Sequence, residues 1–146
     1  MIENYMKVAI EEAKRALLIN EVPVGAVIVK DGEIISSAHN LRETLRDPLA
    51  HAEILAIKKA SEKLADWRLS GCEMYVTLEP CPMCAGAIVQ SRIKRVYIGT
   101  FDPKAGACGS IMNVVQNEAL NHFVDLIWLY DDECSKILQD FFKSKR

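Results

Sequence analysis

What this 146-residue sequence lacks narrows its class before any motif is read. No apolar run approaches the roughly eighteen residues of a membrane span. The first residues open an amphipathic helix instead of a basic stub with an apolar stretch behind it, so no secretory leader is expected. The cysteines number five, an odd count with a single C-x-x-C pair, which fits a reducing compartment and not a disulfide framework; the cytoplasm is the expected location. Strong charge of either sign is missing too. A net charge of −2 and a pI near 5.9 argue against a protein held on nucleic acid by indiscriminate phosphate contacts. Repeats, linkers and low-complexity stretches are absent. Half the residues are hydrophobic and 26% charged, as expected for one globular domain over residues 1–146 with a core of its own.

What is present concentrates in two short pieces, His51-Ala52-Glu53 and Pro80-Cys81-Pro82-Met83-Cys84. Each stands where a helix should begin. Asp47-Pro48 marks a turn before the first, and Ile54, Leu55, Ile57 and Leu64 follow at helical spacing. The buried-strand pattern Met74-Tyr75-Val76-Thr77-Leu78 precedes the second, and the small residues Ala85-Gly86-Ala87 follow it, with Pro82 suited to a first helical turn. Two cysteines three apart at a helix start can grip one cation, and the positive end of the helix dipole favours their thiolate form. Structural zinc is usually closed by four ligands, yet only His51, Cys81 and Cys84 can be assembled here. Neither His39 nor Cys108 has convincing spacing for a fourth. Three protein ligands and a free fourth position form the catalytic arrangement, which brings a water molecule to reactivity near neutral pH. Glu53, two residues from His51, is then spaced to exchange protons with that water. The pattern H-x-E…P-C-x-x-C is a known signature of zinc deaminases, so this assignment is in part a pattern match. Taken singly, each residue has a plainer role: a redox or structural C-x-x-C, a first-turn carboxylate, a capping histidine.

The remaining chain reads as an alternating α/β domain. A helix is expected over 2–19, with Ile2, Met6, Ala9, Ile10, Ala13, Ala16 and Leu17 on one face. A hairpin follows, from strand 25–30 through Asp31-Gly32 to strand 33–38. Further elements are a helix over 50–64, a strand over 73–78, a helix over 82–91 and a strand over 95–100. Pro and Gly make 101–110 irregular, 111–116 is expected as a short helical turn, 124–129 as a fifth strand and 132–143 as a last helix. Phe141 of that helix is expected in the core. The order of elements implies a three-layer α/β/α fold on a mixed five-stranded sheet, antiparallel at one edge and parallel at the other. The basic clusters Arg92, Lys94, Arg95 and Lys143, Lys145, Arg146 read, on charge alone, as solvated helix ends.

With these pieces in place, the chain resembles the bacterial tRNA-specific adenosine deaminases, which form inosine at the anticodon wobble position, within the cytidine deaminase-like fold. The resemblance runs almost end to end. It rests on Glu21-Val22-Pro23-Val24-Gly25-Ala26, Asn40, His51-Ala52-Glu53, residues 77–92 (TLEPCPMCAGAIVQSR), the Asp102-Pro103-Lys104 loop, Asn121-His122 and the Phe141-Phe142 helix with its basic tail. It implies one zinc ion per chain on His51, Cys81 and Cys84, with Glu53 shuttling protons. It implies that Asn40 holds the flipped base or its ribose, that Val22 and Pro23 wall the pocket, and that Ala52 belongs to the substrate-binding set. Asp102, Lys104 and Asn121 would line an anticodon-loop groove, and Lys143, Lys145 and Arg146 would touch RNA backbone. The implied reaction is hydrolytic deamination of adenosine in the anticodon stem-loop, with an arginine tRNA as the expected substrate, by a cytoplasmic homodimer that engages no membrane. Two readings stay open beside it: a guanine, cytosine or nucleoside deaminase of the same fold, and a non-catalytic zinc-stabilised RNA-binding subunit.

Overall fold

Helical and alternating apolar patterns become four helices and five strands over residues 2–145, the part of the chain described by this structure, a computed structural model. Helix α1 (Ile2–Leu18) lays Met6, Ala9, Ile10, Ala13 and Ala16 into the core, while Ile2 and Leu17 stay partly exposed near its ends. Strand β1 (Gly25–Lys30) turns back as β2 (Glu33–His39) through Asp31 and Gly32, both at positive φ (51° and 77°), the geometry of a tight hairpin turn. Then come α2 (Ala52–Leu64), β3 (Glu73–Leu78), α3 (Pro82–Gln90), β4 (Arg95–Thr100), β5 (Asp125–Trp128) and α4 (Asp132–Ser144).

Three departures from the sequence expectation have local causes. Helix α2 starts two residues later than its apolar pattern allows, because the His51 backbone is extended (φ −72°, ψ 154°) and Ala50 closes a turn onto the Asp47 carbonyl. His51 is therefore the N-cap residue and points from a helix end. The helical turn over 111–116 does not form. Cys108 and Asn113 instead make an isolated bridge, and the Asn113 carboxamide accepts from the Gln116 amide, a side-chain bond that competes with helix. Strand β5 is shorter than expected: the Val124 amide is diverted to the Val115 carbonyl, and Tyr130 leaves the strand direction at φ 49°.

The sheet order is β2-β1-β3-β4-β5, with β1 antiparallel to β2 and β3, and with β3, β4 and β5 parallel. Helices α2 and α3 cover one face over Ile28, Met74, Val76, Val96 and Ile98. Helix α1 covers the other over Val27, Val29 and the stacked pair Tyr75–Tyr97, whose centroids are 4.2 Å apart. Ile88 on α3 is fully buried, and truncating it to Ala would cost about 2–5 kcal/mol. Helix α4 runs beside α1 across the C-terminal ends of the parallel strands: Cys134 packs against Gly99, and the Ser135 and Thr100 hydroxyls lie 2.9 Å apart. The result is the expected three-layer α/β/α architecture. Helix α2 follows β2 and α3 follows β3, and both begin at the same end of the sheet, where crevices collect ligands.

Candidate active site

The two helix starts meet at that end. His51 caps α2, Cys81 caps α3, and neither side chain is used to cap its own helix. Both are free to turn toward the same point. Nδ1 of His51 lies 3.6 Å from Sγ of Cys81 and 3.4 Å from Sγ of Cys84, and the three donor atoms all fall within 4.8 Å of one another. An imidazole nitrogen and two sulfurs at this spacing fit the donor preference of zinc and leave room for a non-protein ligand. Among the described residues no fourth His, Cys or carboxylate joins the group. His39 is instead paired with Glu12 at 2.8 Å, and Cys108 is buried outside the cluster.

The electrostatics prepare these groups for a cation. The hydrogen bond from Cys84 pulls the Cys81 thiol down to about 4, with His51 adding to the effect against the opposing influence of burial. Cys84, the donor of that bond, is pushed up by it and by burial. The pair thus shares one proton that a metal ion would displace. His51 is raised chiefly by its bond to Cys81. Glu53 occupies the first turn of α2, almost wholly buried. Burial raises its carboxyl to about 7, and its own amide, the charge of His51 and a bond with Cys84 do not reverse this. A carboxyl held near neutrality can both accept and donate a proton.

The structure sorts the other sequence candidates by position. Asn40 is buried at the end of β2, with its carboxamide donating to the Val22 carbonyl (3.3 Å) and accepting from the Arg42 amide (3.0 Å). Its neighbour Leu41 is bonded to Ala50, so Asn40, Val22, buried Pro23 and buried Ala52 flank the start of α2 together. Asp102 and Lys104 follow β4 at the same end of the sheet. The Asp102 carboxylate accepts from the Lys104 and Ala105 amides at 3.0 and 3.2 Å, which shapes the turn. Lys143 is exposed near the end of α4, and Lys145 reaches Asn20 and the face of Phe141 (5.2 Å), which ties the basic tail to the turn after α1. Phe141 is buried as expected, whereas Phe142 is exposed. Arg146 lies outside the described residues. Asn121 sits elsewhere: it precedes β5, beside His122, which bonds the Ile93 carbonyl (2.7 Å), and is thus at the opposite end of the sheet from the Asp102 loop.

Two further carboxylates belong to this end of the molecule. Glu79, two residues before Cys81, accepts from the amides of Asp102 (2.9 Å), Cys108 (3.0 Å) and Ser110 (3.1 Å) and from the Ser110 hydroxyl. Glu21 accepts from the amides of Glu43 (3.1 Å) and Thr44 (2.6 Å) and from the Thr44 hydroxyl (2.6 Å). Each binds an irregular loop to the edge of the site. Their only trace in the sequence is an acidic residue beside a strand in an otherwise apolar stretch, which is a weak signal.

The MafB19-like deaminase family matches residues 2–146. A tRNA-specific adenosine deaminase of Bacillus subtilis (strain 168) is 52% identical over 145 residues, covering 99% of this chain and 90% of the relative. One of Aquifex aeolicus (strain VF5) is 52% identical over 144 residues, covering 99% of this chain and 95% of the relative. Among solved structures, a protein studied as a tRNA:A34 deaminase acting at the wobble position of transfer RNA superposes with a TM-score of 0.90 at 43% identity, covering 93% of this chain and 99% of that one.

Proposed function

Because the chain belongs to the tRNA-specific adenosine deaminases, we propose that it converts the wobble adenosine of a tRNA anticodon loop, in an arginine tRNA, to inosine, and that it does so with one zinc ion. The observation that carries this reading is the convergence of His51, Cys81 and Cys84 within 4.8 Å on two helix starts, with buried Glu53 in the first turn of α2. Zinc, when held by those three residues, supplies the Lewis acidity that lets water act as a nucleophile near neutral pH. Glu53 takes the proton that the attacking water gives up at C6 of adenine and delivers it to N1. It then carries the second proton to the exocyclic nitrogen, the C6–N bond breaks, and ammonia leaves with inosine remaining. Burial of Glu53 suits both duties.

Asn40, which has one amide hydrogen beyond its bond to Val22, would orient the flipped base or its ribose, with Val22, Pro23 and Ala52 forming the wall. An unpaired loop presents such a base at lower cost than a duplex. Asp102, Lys104, Lys143, Lys145 and Arg146 would hold the surrounding RNA. Asn121 would join them only across an interface, since within one chain it faces away. A homodimer gives that interface: Gly86 and Ala87 lie on the open side of α3, where a Cβ on Gly86 would meet no atom of its own chain, whereas Ala85 is committed to the core. Cytoplasmic location completes the reading.

Ammonia release on a panel of tRNAs, free adenosine, guanine and cytidine, with inosine mapped in the tRNA products, tests it. Conversion confined to tRNA with adenosine at the wobble position is the expected result. Faster deamination of guanine or cytidine would replace it with the small-molecule reading. Cys84→Ser should drop bound zinc from about one per chain to a small fraction, read by metal analysis, and abolish turnover.

A further inference from the structure

A groove of about 660 Å³ opens beside the catalytic end, and nothing in the reaction so far uses it. Phe101, Trp128 and Tyr130 line one part of it, and Gly109, Asn113 and Gln116 another. Phe101 and Tyr130 leave the C-terminal ends of β4 and β5, the same end as the metal ligands, and are 51% and 67% exposed. Trp128 and Tyr130, two residues apart, hold their rings nearly parallel, with centroids 6.0 Å apart and planes within 18°. Gly109, at φ 135°, faces the indole of Trp128, which a Cβ there would meet at 3.8 Å. Opposite stand two ordered carboxamides. Asn113 donates to Gln116 (3.3 Å) and Gln116 donates to the Val124 carbonyl (3.1 Å), which leaves each –NH₂ group a second hydrogen.

The groove is joined to the metal site by covalent and hydrogen-bonded links. Its lining residues Cys108 and Ser110 hang from the Glu79 carboxylate, and Glu79 is two residues from Cys81. Asp102, next to Phe101, hangs from the same carboxylate. No lysine or arginine lines the groove, so it is not built for a phosphate. Solvent-facing aromatic rings beside amide donors are the equipment with which proteins stack and read an unpaired nucleobase.

We propose that this groove binds a nucleobase adjacent to the target adenosine in the same RNA loop, stacked on Tyr130 and Trp128 and contacted along its edge by Asn113 and Gln116. The proposal rests on the tRNA reading and adds to it a second base site, which would make recognition of the loop depend on a neighbouring nucleotide. Stacking of this kind is worth enough that losing one platform changes affinity by about 5- to 100-fold.

The test uses the zinc-loaded enzyme and an anticodon stem-loop RNA. Tyr130→Ala should raise KM for the RNA by about 5- to 100-fold with kcat within about twofold of the parent, and Tyr130→Phe should restore KM. On RNA carrying an abasic site next to the target adenosine, wild type and Tyr130→Ala should become alike. Direct contact is read in a Trp67→Phe, Glu53→Gln background, where Trp128 alone reports. Its fluorescence should fall on adding RNA and should not fall on adding the abasic RNA. A wild type that prefers free bases overturns the tRNA reading and this proposal with it. A wild type specific for RNA, with unchanged KM in Tyr130→Ala and unchanged Trp128 fluorescence, overturns the groove alone.

Discussion

Two buried glutamates flank the residues that could hold a metal ion, and their surroundings differ in kind. Glu53 follows His51 and is 4% exposed; Glu79 precedes Cys81 and is 2% exposed. Glu79 has four donors converging on it, three of them backbone amides of the loop after β4. Glu53 has little beyond its own amide and Cys84, and burial therefore leaves its carboxyl near 7. A carboxylate saturated with donors is an anchor, because every lone pair is committed and protonation would break several bonds at once. A carboxylate left short of donors can change its proton without disturbing the fold. Solvent exclusion is shared by both sites; the number of donors is what separates them.

The sharpest way to break this comparison is to remove the charge from each. Glu53→Gln keeps shape and removes proton exchange, so turnover should fall by on the order of a hundredfold to ten-thousandfold, with zinc content and melting temperature nearly unchanged. A retained rate would move the proton shuttle to another residue. Glu79→Ala should do the reverse. It strands amides of Asp102, Cys108 and Ser110, each worth about 1–3 kcal/mol when left dry. Water reaching the exposed parts of the loop should hold the total to roughly 2–4 kcal/mol, or about 5–15 °C in melting temperature by calorimetry. KM for RNA should rise with it while kcat falls far less than in Glu53→Gln. If Glu79→Gln instead stopped turnover in a fully stable protein, Glu79 would be a second proton carrier. Gly106 makes the same point sterically, since any Cβ there would run into the Glu79 carboxylate.

The difference between the two glutamates also marks what the sequence could say. Spacing within H-x-E and C-x-x-C is local, so the grouping of His51, Cys81 and Cys84 with Glu53 beside them was readable from a few residues each, and the strand and helix periods around them set the α/β order. Glu79 anchors amides 23 to 31 residues away, and no local pattern encodes which loop will fold back onto a carboxylate. The missing helix at 111–116 failed for a related reason: Ile111-Met112-Asn113-Val114-Val115-Gln116 has adequate apolar content, but the Asn113 side chain and the pairing with Cys108 offered its backbone better partners. Asn121 was grouped with Asp102 by resemblance, and only the parallel direction of β4 and β5 places it at the other end of the sheet. Residues 41–49 carried no readable signal, because their order comes from a glutamate some twenty positions earlier.

That glutamate, Glu21, gives the smallest and most specific prediction. It is an anchor of the Glu79 type, holding Glu43 and Thr44 at the other flank of the site. Burial alone would raise its carboxyl, but the bonds from Thr44 and Glu43 outweigh burial and leave it below the ordinary 4.5. A carboxyl lowered on folding stabilises the folded state above its unfolded value, and that contribution is lost as pH falls through the folded value. The loop should therefore loosen only on acidification below about 4.5. Hydrogen exchange reads this directly. Protection at the Glu43 and Thr44 amides, referred to the core amide of Val76, should be constant from pH 7 to pH 5 and fall below it. In Glu21→Gln it should already be low at pH 7 and show no further change with pH. If acid left Thr44 as protected as Val76 in the wild type, Glu21 would not be the anchor of the loop, and the two-carboxylate account of the site's rim would reduce to Glu79 alone.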